Sequence, residues 1–329
     1  MQSRKFGPTQ RLVSEIGLGC WQLGGSDWGD VSDEKALQIL ATAVDQGVTF
    51  LDTADVYGAG RSETLIGRFL RQTAQRDQLF IATKLGRFFP DGKLDYSLPT
   101  LRAHTEASLR RLGVEALDLT QLHCIPQDVL FDGAVFASLR QLQKEGKIKA
   151  FGASVECDAE ALHCLDQPGL ASLQIIFNIF RPKPAQQVLH LAQARSVAII
   201  VRLPLASGLL GGKITAATQF PQNDHRNYNR DGQCFNVGET FAGLPFALAA
   251  QASQDLRPLV PAGYTMAEMA LRWILDHPGV STIIPGASKV EQVPANVKAS
   301  GLPPLTAKTH AALQHFYQTR IQTHIRGPY

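Results

Sequence analysis

The sequence predicts an α/β fold, a closed (β/α)8 TIM barrel forming a single domain over residues 1–329. Three observations carry that expectation. Short β-prone runs alternate with amphipathic helical stretches along the chain. Several of the strand candidates are apolar on both faces, as in a parallel sheet covered by helices. Eight such units fit within about 300 residues, the size of one barrel. A doubly wound open sheet is the structural alternative. Against it, no Gly-rich dinucleotide fingerprint follows the first strand, where the chain reads Gly17-Leu18-Gly19-Cys20-Trp21.

Taken in order, strands are expected at 16–18, 48–51, 79–83, 117–122, 148–152, 172–177, 197–201 and 281–284. Helical patterns occupy 33–46, 61–71, 101–112, 131–144 and 184–194 between them. Ser32 or Asp33 supplies a start signal for the first helix and Gly47 a stop. The interval from 201 to 281 is unusually long, and residues 224–232 within it are rich in Asn, Asp and Arg. Segments of that length in compact domains are often functional lids, with disorder as the plainer reading. Lys213, Arg226 and Arg230 give this segment cations suited to a phosphate. No linker marks a domain boundary.

Composition bounds the partners. Hydrophobic residues make up 44% and charged residues 19%, which leaves ample core. The net charge is +3 and the Lys and Arg residues are dispersed. Neither a nucleic acid nor a membrane surface is therefore an expected partner, whereas one small phosphorylated ligand needs only a few placed cations. Residues 1–10 are polar and are not read as a secretory signal. Apolar runs such as 197–201 fall far short of the roughly 20 residues of a membrane helix. The five cysteines are odd in number and lack CxxC spacing, against a disulfide framework or zinc site. No metal is expected, and the simplest compartment is the cytoplasm. Oligomeric state is not legible.

The chemistry gathers at the strand ends. Asp52 closes the second strand, Lys84 the third, His123 the fourth, Ser154 the fifth and Arg202 the seventh. In a parallel barrel all these ends open on one mouth. Singly, Asp52 reads as a turn cap, Lys84 as a snorkelling cation and His123 as a satisfied core histidine. Jointly they bring an acid, a base and a cation to one rim, and Tyr57 follows Asp52 in the loop leaving it. A tyrosine is neutral near pH 7, with an ordinary pKa of about 10. An adjacent ammonium is expected to lower that value and make the phenol a better acid toward a developing alkoxide. A carboxylate would hold the lysine charged, and a histidine could hydrogen-bond the same oxygen. Such a site donates protons to an oxyanion and wants a partner that supplies a hydride.

The run Phe50-Leu51-Asp52-Thr53-Ala54-Asp55-Val56-Tyr57-Gly58, followed by Ser62-Glu63-Thr64-Leu65-Ile66-Gly67, resembles the signature of the aldo-keto reductases. Ala82-Thr83-Lys84 and Gln121-Leu122-His123 fall where that family carries its remaining catalytic groups. The resemblance runs from residues 16–19 to 284–287. It implies Tyr57 as general acid or base, Lys84 as its modulator, Asp52 as partner to Lys84, and His123 as orienter of the carbonyl. It further implies NADP(H) as cofactor, with Ser154 and Gln174 on the nicotinamide carboxamide and Gly19, Cys20 and Trp21 among the other cofactor contacts. Pro204, Leu205, Ser207, Gly208, Leu209 and Lys213 belong to a segment similar to the family's pyrophosphate cover. There, small residues let backbone N–H groups approach phosphate. Gly286, Ser288 and Lys289 follow the last strand at an expected helix N-terminus and suit a 2′-phosphate, while Gln292 and Asn296 share a face suited to adenine.

Two positions depart from the family pattern. Val155 follows Ser154 where asparagine is common. Arg202 stands where many members place a tyrosine that stacks on the nicotinamide, and its planar guanidinium could stack there instead. The alternative partner for Arg202 is a loop carboxylate such as Glu239.

The expected activity is reduction of a small aldehyde or ketone by NADPH, reversible with the alcohol. An NADP-dependent alcohol or sugar dehydrogenase is the nearest alternative. A nucleotide-sensing regulatory subunit with little turnover is the alternative from another class. Substrate contacts are expected from loops at 21–28, 87–96 and 215–243, with Trp28, Phe88, Phe89 and Tyr228 as candidate walls.

Overall fold

The computed structural model describes residues 1–25 and 27–329; Ser26, in the 21–28 loop, lies outside the described residues. An antiparallel hairpin of β1 (Ser3–Lys5) and β2 (Leu12–Ser14) precedes the barrel. Then come β3 (Leu18–Gly19), α1 (Asp33–Asp45), β4 (Phe50–Asp52), α2 (Arg61–Leu70), β5 (Phe80–Leu85), α3 (Leu98–Leu112) and β6 (Leu119–His123). They are followed by α4 (Gln127–Asp132), α5 (Ala134–Lys144), β7 (Phe151–Ser154), α6 (Asp158–Leu165), β8 (Leu170–Ile176), α7 (Val188–Ala194) and β9 (Ala198–Arg202). The remainder is α8 (His225–Tyr228), α9 (Phe246–Asp255), α10 (Met266–Leu275), β10 (Thr282–Ile283), α11 (Gln292–Val297) and α12 (Ala307–Arg320).

Strands β3 to β10 lie side by side in chain order, every neighbouring pair parallel. The two ends of this sheet meet. Gly17 N–H donates to the Ile283 carbonyl at 2.8 Å, Ile283 N–H to Glu15 at 3.0 Å, and Gly19 N–H to Pro285 at 3.1 Å. The ring is therefore a barrel, and the open-sheet alternative fails.

Local signals account for most boundaries. Ser32 caps α1 by accepting from Lys35 N–H at 3.3 Å, and Asp33 and Glu34 complement the dipole of the first turn. A reciprocal Thr265/Glu268 capping box starts α10. The helix expected over 131–144 is two helices, because Gly133 takes a left-handed φ of 79° between α4 and α5. Helix α6 and the helices of the 201–281 interval, α8 to α10, were not separated from loop by periodicity. That interval is consequently less of a loop than its composition suggests.

The barrel floor is closed by the hairpin. Phe6 and Val13 join Phe50, Phe80, Ala82, Leu119, Ala150, Ala171, Ala198, Ile200 and Ile284 in one buried cluster. The Phe6 ring lies 4.8 Å from Phe80 and 5.3 Å from Phe50. Gly7 makes this fit possible: at its φ of 50°, a Cβ would stand 2.6 Å from the Ala171 carbonyl oxygen. The larger apolar cluster lies between the strands and the surrounding helices. Polar chemistry is left to the opposite mouth. No helix among the described residues is long and apolar enough to cross a membrane.

Candidate active site

Asp52 and His123 are the last residues of β4 and β6, and Lys84 is the last but one of β5. The turn after β4 is pinned by Thr53 N–H on the Ala82 carbonyl (2.8 Å) and Asp55 N–H on that of Lys84 (3.2 Å). It carries Tyr57 back over the mouth. Gly58 allows the chain to pass: with φ 60°, a Cβ there would lie 2.2 Å from the Gly24 carbonyl oxygen. Behind the strand, Glu63 of α2 accepts from Thr83 (2.5 Å) and Arg111 (2.6 Å), which fixes β5 from its outer side.

These placements bring four side chains together. The Lys84 ammonium donates to Asp52, to the Thr53 carbonyl at 2.8 Å and to the Tyr57 hydroxyl oxygen at 3.3 Å. Asp52 also accepts from Gln174 at 2.8 Å and from Gln121 at 3.4 Å. The His123 ring meets the Tyr57 ring edge-on at 5.7 Å, and Trp21 stacks on Tyr57 at 5.9 Å. His123 Nδ1 is buried without a partner among the described residues.

Electrostatics follow from this geometry. Burial pushes the Lys84 ammonium down, but Asp52 and Tyr57 more than reverse it, so the pKa stands above its ordinary value. Burial pushes the Tyr57 phenol up, and Lys84 draws it back only in part. Lys84 acts in the expected direction, but desolvation outweighs the ammonium and the phenol stands above its ordinary value. Burial, then the charges of Arg87, Lys84 and Arg202, hold His123 well below the usual imidazole range. It is neutral near pH 7.

The mouth opens into a cavity of about 840 Å³, within the range of small-molecule and cofactor sites. Of the sequence candidates, Gly19, Cys20, Trp21, Asp52, Tyr57, His123, Gln174, Arg202, Pro204, Leu205, Ser207, Gly208, Gly286, Ser288 and Gln292 line it. Lys84 lies beneath, fully buried. Ser154 ends β7 outside the lining, its hydroxyl 3.5 Å from the Cys124 sulfur. Leu209 is core, Lys213 and Lys289 are exposed flanks, and Asn296 also stands off the lining. Of the candidate walls, Trp28 and Tyr228 line the cavity; Phe89 packs instead on Tyr96 and His104, and Phe88 is likewise off the lining.

Arg202 does not lie free. Its guanidinium pairs with Glu239 at 3.3 Å and donates to the Val155 carbonyl at 3.2 Å. Of the two partners weighed for it, the loop carboxylate is the one the structure brings to it. Arg87 joins them at 2.7 Å from Glu239 and 3.0 Å from Glu156. Cys124, Glu156 and Glu239 come within 4.8 Å of one another, but two guanidinium groups already occupy these donors, an arrangement hostile to a cation. The sequence did not single out Gln22, Arg87, Cys234 or Phe235 as lining residues. All fall within the segments 21–28, 87–96 and 215–243 expected to supply substrate contacts, where no periodicity marks which side chain faces the cavity.

Fold and site together define a parallel barrel with an acid, a tyrosine, a lysine and a histidine gathered at its carboxyl mouth. Residues 15–318 match the model of the Aldo/keto reductase family. The aldo-keto reductase YhdN of Bacillus subtilis is 30% identical over 303 residues, covering 92% of this chain and 89% of that protein. The structure of a glycerol dehydrogenase from Gluconobacter oxydans superposes with a TM-score of 0.80 at 27% identity, covering 99% of this chain and 98% of that one. An aldo-keto reductase from Bacillus halodurans, in its holo form, gives 0.77 at 28% identity, with 96% of each chain covered. The chain belongs to the aldo-keto reductase family and is an oxidoreductase.

Proposed function

We propose that the protein transfers a hydride between NADP(H) and a small aldehyde or ketone, or the corresponding alcohol, with Tyr57 as general acid and base. One observation carries this reading: the Lys84 ammonium donates to the Tyr57 oxygen, so the phenol's own proton is free for a ligand in the cavity. The lining residues suit a dinucleotide. They run from Tyr57, His123 and Gln174 through 203–208 to Ser288 and Gln292. Leu203, Ala206 and Ser207 hold left-handed φ values between 47° and 57°. Left-handed positions of this kind recur in the backbone turns that cradle anions. NADPH, when bound, supplies the hydride that no side chain here can provide.

The side chains do the rest. Neutral His123 hydrogen-bonds the substrate carbonyl and orients it toward Tyr57. Tyr57 gives its proton from Oη to the developing alkoxide, and the charge of Lys84 stabilises the phenolate left behind. Asp52, held by Gln174 and Gln121, keeps the buried Lys84 charged. Gln174 and Ser154 are assigned to the nicotinamide carboxamide, the segment 204–213 to the pyrophosphate, and Ser288 with Lys289 to the 2′-phosphate. Because burial keeps Tyr57 protonated, the reductive direction is the one its ground state serves. Similarity to a glycerol dehydrogenase favours a second reading, oxidation of a small polyol through the same groups in reverse. Initial rates in both directions distinguish the two.

The decisive variant is Tyr57→Phe. Its turnover should fall by ~10²–10⁴-fold, the usual contribution of a general acid, while the NADPH dissociation constant stays nearly unchanged. Wild-type turnover in this variant, with chemistry rate-limiting, would remove Tyr57 from the proton-transfer role.

A further inference from the structure

We propose that Glu239 sets the electric charge beside the reacting centre and so decides how strongly the site prefers one oxidation state of the nicotinamide. The inference rests on the proposed use of NADP(H). Glu239 comes from the long segment after β9, whereas its partners come from the barrel: Arg87 from the loop after β5 and Arg202 from the end of β9. Each of its oxygens takes one guanidinium, Oε1 that of Arg87 at 2.7 Å and Oε2 that of Arg202 at 3.3 Å. The Glu239 side chain is 4% exposed and that of Arg202 10%. Salt and water therefore screen these charges poorly.

The cluster holds two permanent positive charges, and its carboxylates are not equal. Burial raises Glu156, and neighbouring Glu239 raises it further. Burial also works against Glu239, but Arg87 and Arg202 prevail and hold it at about 2. Glu239 is thus the carboxylate held most firmly as an anion, the one that meets both guanidinium groups. The cluster's field reaches the chemistry, because Arg87 and Arg202 are among the charges that depress His123, the ring facing Tyr57. Glu239, Arg87 and Arg202 line the same cavity as those two rings. An oxidised nicotinamide ring is positive and a reduced one is neutral. A guanidinium without its counter-charge repels the first and is indifferent to the second. Glu239 therefore keeps the oxidised form bound.

The ordinary role for such a residue is a tether that ties the segment 231–244 to the barrel, assisted by Asn236 on Glu156 at 2.8 Å. A tether and a charge separate cleanly by measurement. Loss of a tether weakens both cofactor forms alike, while loss of the charge changes their ratio.

The experiment is titration of purified protein with NADPH and with NADP⁺, followed by calorimetry, for wild type, Glu239→Gln, Glu239→Asp and Arg87→Gln. In Glu239→Gln the ratio of the NADP⁺ to the NADPH dissociation constant should rise about tenfold, the scale of one unit charge acting over roughly 12 Å at an effective dielectric constant of about 20. For a two-electron couple this raises the potential of the bound cofactor by about 30 mV. Glu239→Asp should restore much of the wild-type ratio. Arg87→Gln removes a positive charge and should move the ratio the other way, which keeps the test alive if the glutamine variant fails to fold. An unchanged ratio in both charge-removing variants, whether or not both constants weaken, overturns the proposal alone. Wild type binding neither form overturns the proposed function and this inference with it.

Discussion

Lys84 spends its three N–H groups on Asp52, on the Thr53 carbonyl and on Tyr57, so its position is fully determined by the chain. This is why Tyr57, on a loop, is nonetheless held in register with His123. At Tyr57 the structure adds what the sequence reading left out: burial, which raises the phenol more than the adjacent ammonium lowers it. At the other end of the cavity, Gln292 accepts from the N–H groups of Ser288 (2.8 Å) and Lys289 (3.0 Å). Those donors are held in a fixed turn next to the exposed Lys289 ammonium. If Lys289 meets a 2′-phosphate, the charge-assisted hydrogen bond is worth roughly 1.5–3 kcal/mol. Lys289→Ala should then weaken NADPH by an order of magnitude or more and leave NADH almost unaffected. Equal losses for the two cofactors, read by titration, would place Lys289 away from that phosphate.

Among elements, the segment between β9 and β10 bears most directly on the site. Its α8 region docks on the loop after β3. His225 N–H donates to the Asp27 carbonyl at 2.9 Å and the Tyr228 hydroxyl to the Asp27 carboxylate at 2.7 Å, while Trp21 donates to the same carboxylate at 3.0 Å. Arg226 pairs with Asp224 at 2.6 Å and lies over Trp28 and Phe220. The lid expected from the sequence therefore has a built seat, formed by side chains that also line the cavity. Few of these contacts are apolar core, which makes the segment a candidate for low local stability. Hydrogen exchange should show added protection over 203–243 on saturation with NADP⁺, strongest at 203–212. Unchanged exchange across that stretch would leave the segment without a closing role.

At the scale of the whole molecule the barrel has two faces with different work. The floor is apolar and sealed by the β1–β2 hairpin, and the mouth is polar and open. Phe6 is fully buried, and truncating a buried phenylalanine typically costs ~3–5 kcal/mol. Phe6→Ala should accordingly lower the midpoint of thermal or denaturant unfolding substantially, while cofactor dissociation constants in the folded protein stay near wild type. A selective loss of cofactor affinity without loss of stability would mean that the hairpin acts on the mouth and not only on the floor.

Strand order, the barrel and the Asp52, Tyr57, Lys84 and His123 constellation were legible in the chain because each depends on local pattern. An apolar run with a polar residue at its end names both a strand and its rim, and parallel topology puts all the rims together. Boundaries such as the break at Gly133 were less legible, since one glycine inside an amphipathic stretch does not state its φ. The hairpin plug was missed because Phe6 and Val13 stand in a polar segment whose burial depends on a barrel formed elsewhere in the chain. Tertiary structure alone decided the balance of charges. Whether Lys84 or desolvation governs Tyr57, and whether Arg202 faces a ligand or Glu239, turns on distances between residues far apart in sequence. Coulomb energy and burial are properties of those distances, and no spacing along the chain encodes them.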